Sequence, residues 1–418
     1  MFATSRVESF MERVQQCLSQ YQKGSTLPGP LYHHRDAFEF DVDKIFRRQW
    51  FYAATVCDVR ESGDFYVVDL HNDSIVIVRD DEDRVRAFHN VCRHRGARMF
   101  NTQRGHVAKM LCPYHGWTYD LDGRLIHASS MGDKPLDPCV FGLKPVHCRI
   151  IAGLIFLCLA EEAPASIERA TEDLSPYVQV YQLDKLKIAA EIDIVDEGNW
   201  KLVMENNREC YHCEANHPEL LVGLHAYGFG FGLTEDDTPA QDRSFGELLK
   251  KRRAEWEACG LPHELIEFPD GLWYRTTRLP LANNANSLTM SGLPACKKLL
   301  HAFTQPDESD LSLWTHPNSW HHFMSDHVVT FRVLPLAENR TLVTTKWLVH
   351  EDAVEGVDYD VDTLTHVWKS TNAQDKRLVE LAHRGTLSPA YTPGLYSTET
   401  EDLVVNFVDW YVRQASLQ

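Results

Sequence analysis

The sequence predicts an α+β protein built from a small all-β domain and a larger domain in which helices cover an antiparallel sheet. Three patterns carry that expectation. Between about residues 50 and 159, short β-like runs alternate with turn residues; Leu186, Ile188, Ala190, Ile192 and Ile194 alternate with polar residues as in a half-buried strand; and from about residue 360 the pattern becomes helical. The 418 residues, 44% hydrophobic and 24% charged, suit a globular chain of two or three domains. With 42 basic against 60 acidic residues the formal net charge is −18, which repels phosphate backbones and argues against nucleic acid and anionic membrane as partners.

In chain order, residues 1–45 read as a helical arm, a polar amphipathic helix followed by Leu27-Pro28-Gly29-Pro30. Residues 46–163 hold the β runs Phe65 to Leu70, Ile75 to Val78 and Val85 to Phe88, with a turn at His71-Asn72-Asp73 and a two-residue hairpin signal at Asp122-Gly123. The longest apolar run, Ile150 to Ala160, is roughly half of the ~20 residues a bilayer needs, and its Ala152-Gly153 interruption predicts two strands joined by a turn. Glu161 to Pro164 reads as a linker. Residues 164–418 then form the second domain, with a helical pattern near 200–216, a charged insertion around 235–260, and strands at Val328 to Leu334 and Leu342 to Val349. The opening residues lack a basic region followed by an apolar stretch, so a cytoplasmic location is expected.

Eleven cysteines without the density of a disulfide scaffold point to buried thiols, except where histidines cluster with them. Cys92-Arg93-His94 and Cys112-Pro113-Tyr114-His115, with seventeen residues between them, form the first such cluster. Two thiolates and two imidazoles suit tetrahedral zinc or a [2Fe–2S] cluster with mixed ligation, and spacing alone leaves both open. Gly96, Pro113 and Gly116 let the backbone fold closely around a cluster.

The second cluster is the stretch Asn206 to Pro218. His212 and His217 are five residues apart, about 500° of helical rotation, so a regular helix would not aim both rings at one point. Pro218 biases His217 away from α geometry and lets the second imidazole swing back. Glu205, Glu209 and His212 are spaced to share one helix face, while Cys210 and Cys213 read as packing thiols rather than a redox pair. Each histidine is a metal ligand or a satisfied polar group. For a third ligand, Asp375 opens an apolar stripe with Leu378, Val379 and Ala382, leaving Lys376, Glu380 and His383 on the solvated side. A carboxylate on a buried face needs a partner or a metal; capping a helix that starts near Asn372 is the alternative. Two histidines and one carboxylate are the facial triad of non-haem Fe(II) oxygenases.

The string CRHRG…CPYHGWTYDLDG resembles the cluster-binding motif of Rieske proteins, and together with the second cluster the chain resembles, from about residue 45 to 412, the α subunit of Rieske non-haem iron oxygenases. That resemblance implies a [2Fe–2S] Rieske cluster on Cys92, His94, Cys112 and His115, with the two histidines on the outer iron. Replacing two thiolates by imidazoles raises the potential from about −400 mV to roughly −150 to +300 mV. It further implies mononuclear Fe(II) on His212, His217 and Asp375, a head-to-tail homotrimer, and electrons from a separate NAD(P)H-dependent flavin/[2Fe–2S] reductase. Glu209 stands where the family carries the carboxylate that bridges subunits, usually Asp in the ring-hydroxylating dioxygenases.

The Glu bridge, the strings ECYHC and EANHPEL, Thr344 to His350, Ser388 to Tyr391 and Phe407 to Tyr411 are most similar to those of glycine betaine monooxygenases and stachydrine demethylases, with choline and carnitine oxygenases as relatives. The implied reaction of O₂ is hydroxylation of an N-methyl group of a small quaternary ammonium substrate; an aromatic-ring-hydroxylating oxygenase and an electron carrier without chemistry are the alternatives. Rings suited to a trimethylammonium group are Tyr227, Phe229 and Phe231 after the His217 loop, and Trp320 and Phe323 on a strand.

Overall fold

The computed structural model describes residues 12–131, 136–225, 243–267 and 273–416. In the small β domain a four-stranded antiparallel sheet runs in the order Val85–His89, Asp73–Arg79, Asp64–Leu70, Arg104–His106. Its two central strands are apolar on both faces because both are buried. Phe65, Val67, Val76 and Val78 pack into a core beneath the Cys92 and Cys112 loops, whereas Tyr66, Val68, Ile75 and Ile77 join a larger core shared with the rest of the chain. A second sheet pairs Phe51–Thr55 with Leu154–Cys158 and the latter with His147–Ile151.

The last two of these strands divide the longest apolar run as expected. Ile151 pairs with Leu154 across Ala152 and Gly153, whose φ angles of +46° and +100° make the tight turn favoured between twisted strands. The Asp122-Gly123 hairpin is wider than two residues: Asp120 N donates to Arg124 O, and Gly123 N to Asp120 O. Gly123 has φ +87°, and a Cβ there would lie 2.3 Å from the Phe88 ring. No helix among the described residues is long and apolar enough to cross a membrane.

The larger domain is a seven-stranded antiparallel sheet in the order Leu186–Asp196, Arg340–His350, Val328–Ala337, Ser319–Phe323, Ser309–Thr315, Tyr274–Pro280, Ile266–Glu267. One face carries the Trp200–Asn207 helix and the 26-residue Val361–Thr386 helix; Trp368 of the latter packs on Phe331 and His322 of the sheet. The other face lies against the small β domain. There Asn318 exchanges two 2.9 Å hydrogen bonds with the backbone of Tyr52, and Lys346 pairs with Asp58 at 2.5 Å. Those contacts explain polar residues at alternating positions of strands that are buried on both sides. The charged insertion contains a helix, Arg243–Ala258.

The N-terminal arm is anchored by one buried carboxylate. Asp41 accepts from Trp200 Nε1 at 2.8 Å, from Tyr411 Oη at 2.7 Å and from Lys201 Nζ. Both members of the Lys201–Asp41 pair are fully buried. Asp41→Ala strands the ammonium without its counter-ion and should cost about 3–5 kcal/mol, read as a fall in the thermal unfolding midpoint; combining it with Lys201→Met should recover much of the loss.

Candidate metal centres

Two loops at one end of the small β domain repeat one backbone construction. Cys92 N donates to Ala97 O at 2.8 Å and Gly96 N to Cys92 O at 3.0 Å; in the second loop Cys112 N donates to Trp117 O at 2.8 Å and Gly116 N to Cys112 O at 3.1 Å. Gly96 and Gly116 sit at φ +74° and +70°, where a side chain is unfavourable. Cys92 and Cys112 are buried and unbridged. His94 is half-buried, His115 is exposed, and their rings lie 4.7 Å apart. The amides of Tyr114 and His115 face the Cys112 sulfur, and Tyr119 Oη lies 3.4 Å from Cys92 Sγ. His94 stacks on Trp117, and its buried Nδ1 has no hydrogen-bond partner among the described residues. A bare imidazole nitrogen beside two buried thiols fits iron–sulfur ligation.

The second centre lies over the large sheet. His212 Nε2 and His217 Nε2 are 2.9 Å apart, and Asp375 Oδ1 is 3.3 Å from the first and 2.9 Å from the second. Ligands about 2.1 Å from a metal and at right angles to one another are about 3 Å apart, so this triangle matches one face of an octahedral site. Each imidazole is tied through its other nitrogen: His212 Nδ1 to Glu209 Oε1, His217 Nδ1 to Gln374 Oε1 at 2.8 Å, and Gln374 Nε2 in turn to Glu219 at 2.8 Å. Those bonds turn both Nε2 lone pairs inward. Asp375 Oδ1 is buried without a hydrogen bond of good geometry.

Electrostatics agree with a cation at the centre. Burial alone would raise the Asp375 carboxyl, but the two imidazoles hold it below the usual carboxylate range. Burial would lower His212, yet Asp375 and Glu209 hold it up to about 9. A divalent ion that takes the place of the His212 proton leaves both imidazoles neutral and balances the −2 of Asp375 and Glu209.

Several expectations are corrected by the way the chain breaks. The 200–216 stretch is two helices, Trp200–Asn207 and Cys213–Asn216, separated by a turn. Glu209 therefore leaves the helix and reaches His212 across that turn. Glu205 stays on the first helix and accepts from Tyr32 and Tyr396 away from His212 and His217. Cys210 and Cys213, with Cα atoms 4.9 Å apart across the turn, are joined by a disulfide rather than being separate packing thiols. His217 has φ −122° and ψ 62°, the non-helical geometry expected before Pro218.

Asp375 lies mid-helix, since Asp360 caps the helix that begins at Val361; the capping alternative is gone. The buried face below it continues through Val379 and His383, while Ala382 is exposed, because four-residue steps follow the helix more closely than the proposed stripe. Tyr227, Phe229 and Phe231 lie outside the described residues. Trp320 lines a small cavity with Asp375, Asn206 and Asp196. Phe323, three residues along the same strand, faces the opposite side and packs on Tyr181, so it is core rather than cage. Asp196 and Gln374 were not legible as site residues; burial pushes the Asp196 carboxyl up to about 7.

The Rieske [2Fe-2S] domain family matches residues 49–141, and the ring hydroxylating alpha subunit (catalytic domain) family matches residues 183–416. The chain belongs to the Rieske non-haem iron oxygenases. The glycine betaine monooxygenase oxygenase subunit of Chromohalobacter salexigens is 43% identical to it over 394 residues, 94% of this chain and 86% of the relative. That of Pseudomonas aeruginosa is 43% identical over 92% of this chain and 88% of the relative. By this likeness the oxygenase is a Rieske-type non-haem iron monooxygenase, with a [2Fe–2S] cluster and mononuclear iron as its cofactors.

Solved structures agree in fold. A quaternary ammonium Rieske monooxygenase superposes with TM-score 0.71 at 19% identity, covering 96% of this chain and 98% of that one. Naphthalene 1,2-dioxygenase from Rhodococcus gives 0.68 at 19% identity, covering 97% and 98%.

His94→Ala or His115→Ala in this oxygenase should abolish the EPR signal of the reduced mixed-ligand cluster. His212→Ala, His217→Ala and Asp375→Ala should instead lose bound iron in metal analysis while keeping that signal. Gln374→Leu, which frees His217 Nδ1, should weaken iron binding about 10–100-fold.

Proposed function

We propose that the protein is the oxygenase component that hydroxylates an N-methyl group of glycine betaine, with stachydrine, carnitine or choline as weaker or replacement substrates. The observation that carries this reading is the 43% identity to glycine betaine monooxygenase oxygenase subunits along 94% of the chain. The methyl C–H, O₂, two electrons and two protons give a hydroxymethyl ammonium and water; the former sheds formaldehyde and a proton to leave dimethylglycine. When bound, the cluster and the mononuclear iron supply one-electron transfer and O₂ activation.

The chain's own residues hold this chemistry in place. Glu209 and Gln374 lock the two imidazoles with Nε2 inward, and Asp375 completes one side of the centre, leaving the other for O₂ and substrate. Glu209 also carries the link to His115 of the partner subunit in a head-to-tail homotrimer. His115 is exposed, as a group that meets a second subunit must be before assembly. A separate NAD(P)H-dependent flavin/[2Fe–2S] reductase supplies electrons in the cytoplasm, since this sequence carries no dinucleotide-binding glycine loop.

With NADH and a reductase, glycine betaine should yield one formaldehyde per dimethylglycine. Oxygenation of a neutral arene without turnover of any quaternary ammonium would sink the substrate reading and leave the oxygenase class intact. Glu209→Ala frees His212 Nδ1 and should weaken iron binding as Gln374→Leu does; reloaded with Fe(II), it should still slow single-turnover oxidation of the cluster at least about tenfold, and an unchanged rate in the loaded variant would count against the bridge.

A further inference from the structure

The sheet face beneath the iron helices carries a second buried polar group that the iron ligands do not use. Asp310 and Ser312 are two residues apart on the Ser309–Thr315 strand and so share a face; His322 pairs with Ser312 on the next strand and shares it too. Asp310, Ser312 and His322 are 1%, 3% and 2% exposed. Asp310 Oδ2 accepts from His322 Nδ1 at 2.5 Å, and Oδ1 accepts from Phe323 N at 3.1 Å. Ser312 Oγ is buried with no hydrogen-bond partner among the described residues. Asp310 and Ser312 line a cavity whose walls include Leu224, Leu279 and Leu281.

This cavity shares two elements with the iron centre. His322 packs against Trp368 with ring centroids 4.5 Å apart. Trp368 is seven residues before Asp375 on the same helix, about 10 Å along its axis. Leu224 follows His217 on one stretch of chain, which Ala282 N closes down by donating to Gly223 O at 2.8 Å. The cavity is therefore joined to the ligand triangle by one helix and one stretch of chain.

Asp310 is the one carboxylate among the described side chains lining this cavity, which also include the His225 imidazole, and its two hydrogen bonds use half of its lone-pair sites. His322 needs only its Nδ1 proton to make its bond, so the pair keeps a negative charge when the other ring nitrogen is bare. A quaternary ammonium has no N–H to donate. What it can use is a fixed negative charge set among apolar walls. The geometry points to Asp310 as the residue that holds the quaternary ammonium head, with Ser312 Oγ donating to the carboxylate at the other end of the substrate. This assignment rests on the quaternary ammonium reading above and deepens it.

The test pairs glycine betaine with 3,3-dimethylbutanoate, in which carbon replaces the charged nitrogen, used as a competitive inhibitor of the full reductase-coupled enzyme. Asp310→Asn should raise KM for glycine betaine at least about tenfold while moving the inhibition constant of the neutral-headed analogue less than about twofold, with cluster spectrum and iron content unchanged. Asp310→Glu, which keeps the charge, should retain the preference for the cation. Ser312→Ala should weaken both molecules alike, because both carry the carboxylate. If Asp310→Asn weakens both molecules equally, or neither, or if Asp310→Glu loses the preference as fully as Asp310→Asn, the assignment falls. A wild-type enzyme that neither turns over nor binds any quaternary ammonium overturns the substrate reading and this assignment together, whereas glycine betaine turnover unaffected by Asp310→Asn overturns this assignment alone.

Discussion

Two imidazole nitrogens and a carboxylate oxygen are held within 3.3 Å of one another at the iron centre, although each offers a lone pair to the same space. With both imidazoles deprotonated, as metal ligation requires, this crowding is repulsive until a cation enters, and the fold has to impose it. Glu209 and Gln374 prevent either ring from turning its Nδ1–H inward, and the helix carrying Asp375 is anchored by Trp368, packed two turns away on the sheet. The first helix stops at Asn207, so the chain can turn and present both histidines from one short loop. A continuous helix through the same residues would have aimed them apart.

The seven-stranded sheet connects this centre to the rest of the chain. One face supports the iron helices and the Asp310 cavity; the other is buried against the small β domain through Asn318, Arg332 and Lys346. The central strands therefore serve two interiors, and many of their polar positions are filled by paired groups rather than by solvent-facing side chains. The [2Fe–2S] loops are placed differently. They are built on their own small core, with buried cysteines and an exposed His115, which suits a cluster whose sulfur side is enclosed and whose histidine side is open to a partner.

Much of the site was legible because its signals are local. The two Cys/His pairs stand within a few residues of glycines that take positive φ, and Pro218 marks where His217 leaves the helix. Asp375 was readable as a carboxylate placed on a buried helix face. Errors arose where periodicity was extended across a break. Glu205 and Glu209 do not share a face because the helix ends between them, and Cys210 and Cys213 meet in a disulfide for the same reason. Phe323 was grouped with Trp320 by proximity in sequence, yet three steps along a strand reverse the side chain.

The sequence by itself determined the ligand types, the strand and hairpin order of the small domain, and the helix that carries Asp375, because each depends on residues close together in the chain. Only the tertiary structure decided which carboxylates meet which histidines, that Gln374 rather than a charged group orients His217, and that Asp310 and His322 lie on the sheet face under the Val361–Thr386 helix. Those contacts join residues up to about 165 positions apart, such as His212 and Asp375 at 163. Their geometry is set by how helices settle on a twisted sheet, which no local pattern encodes.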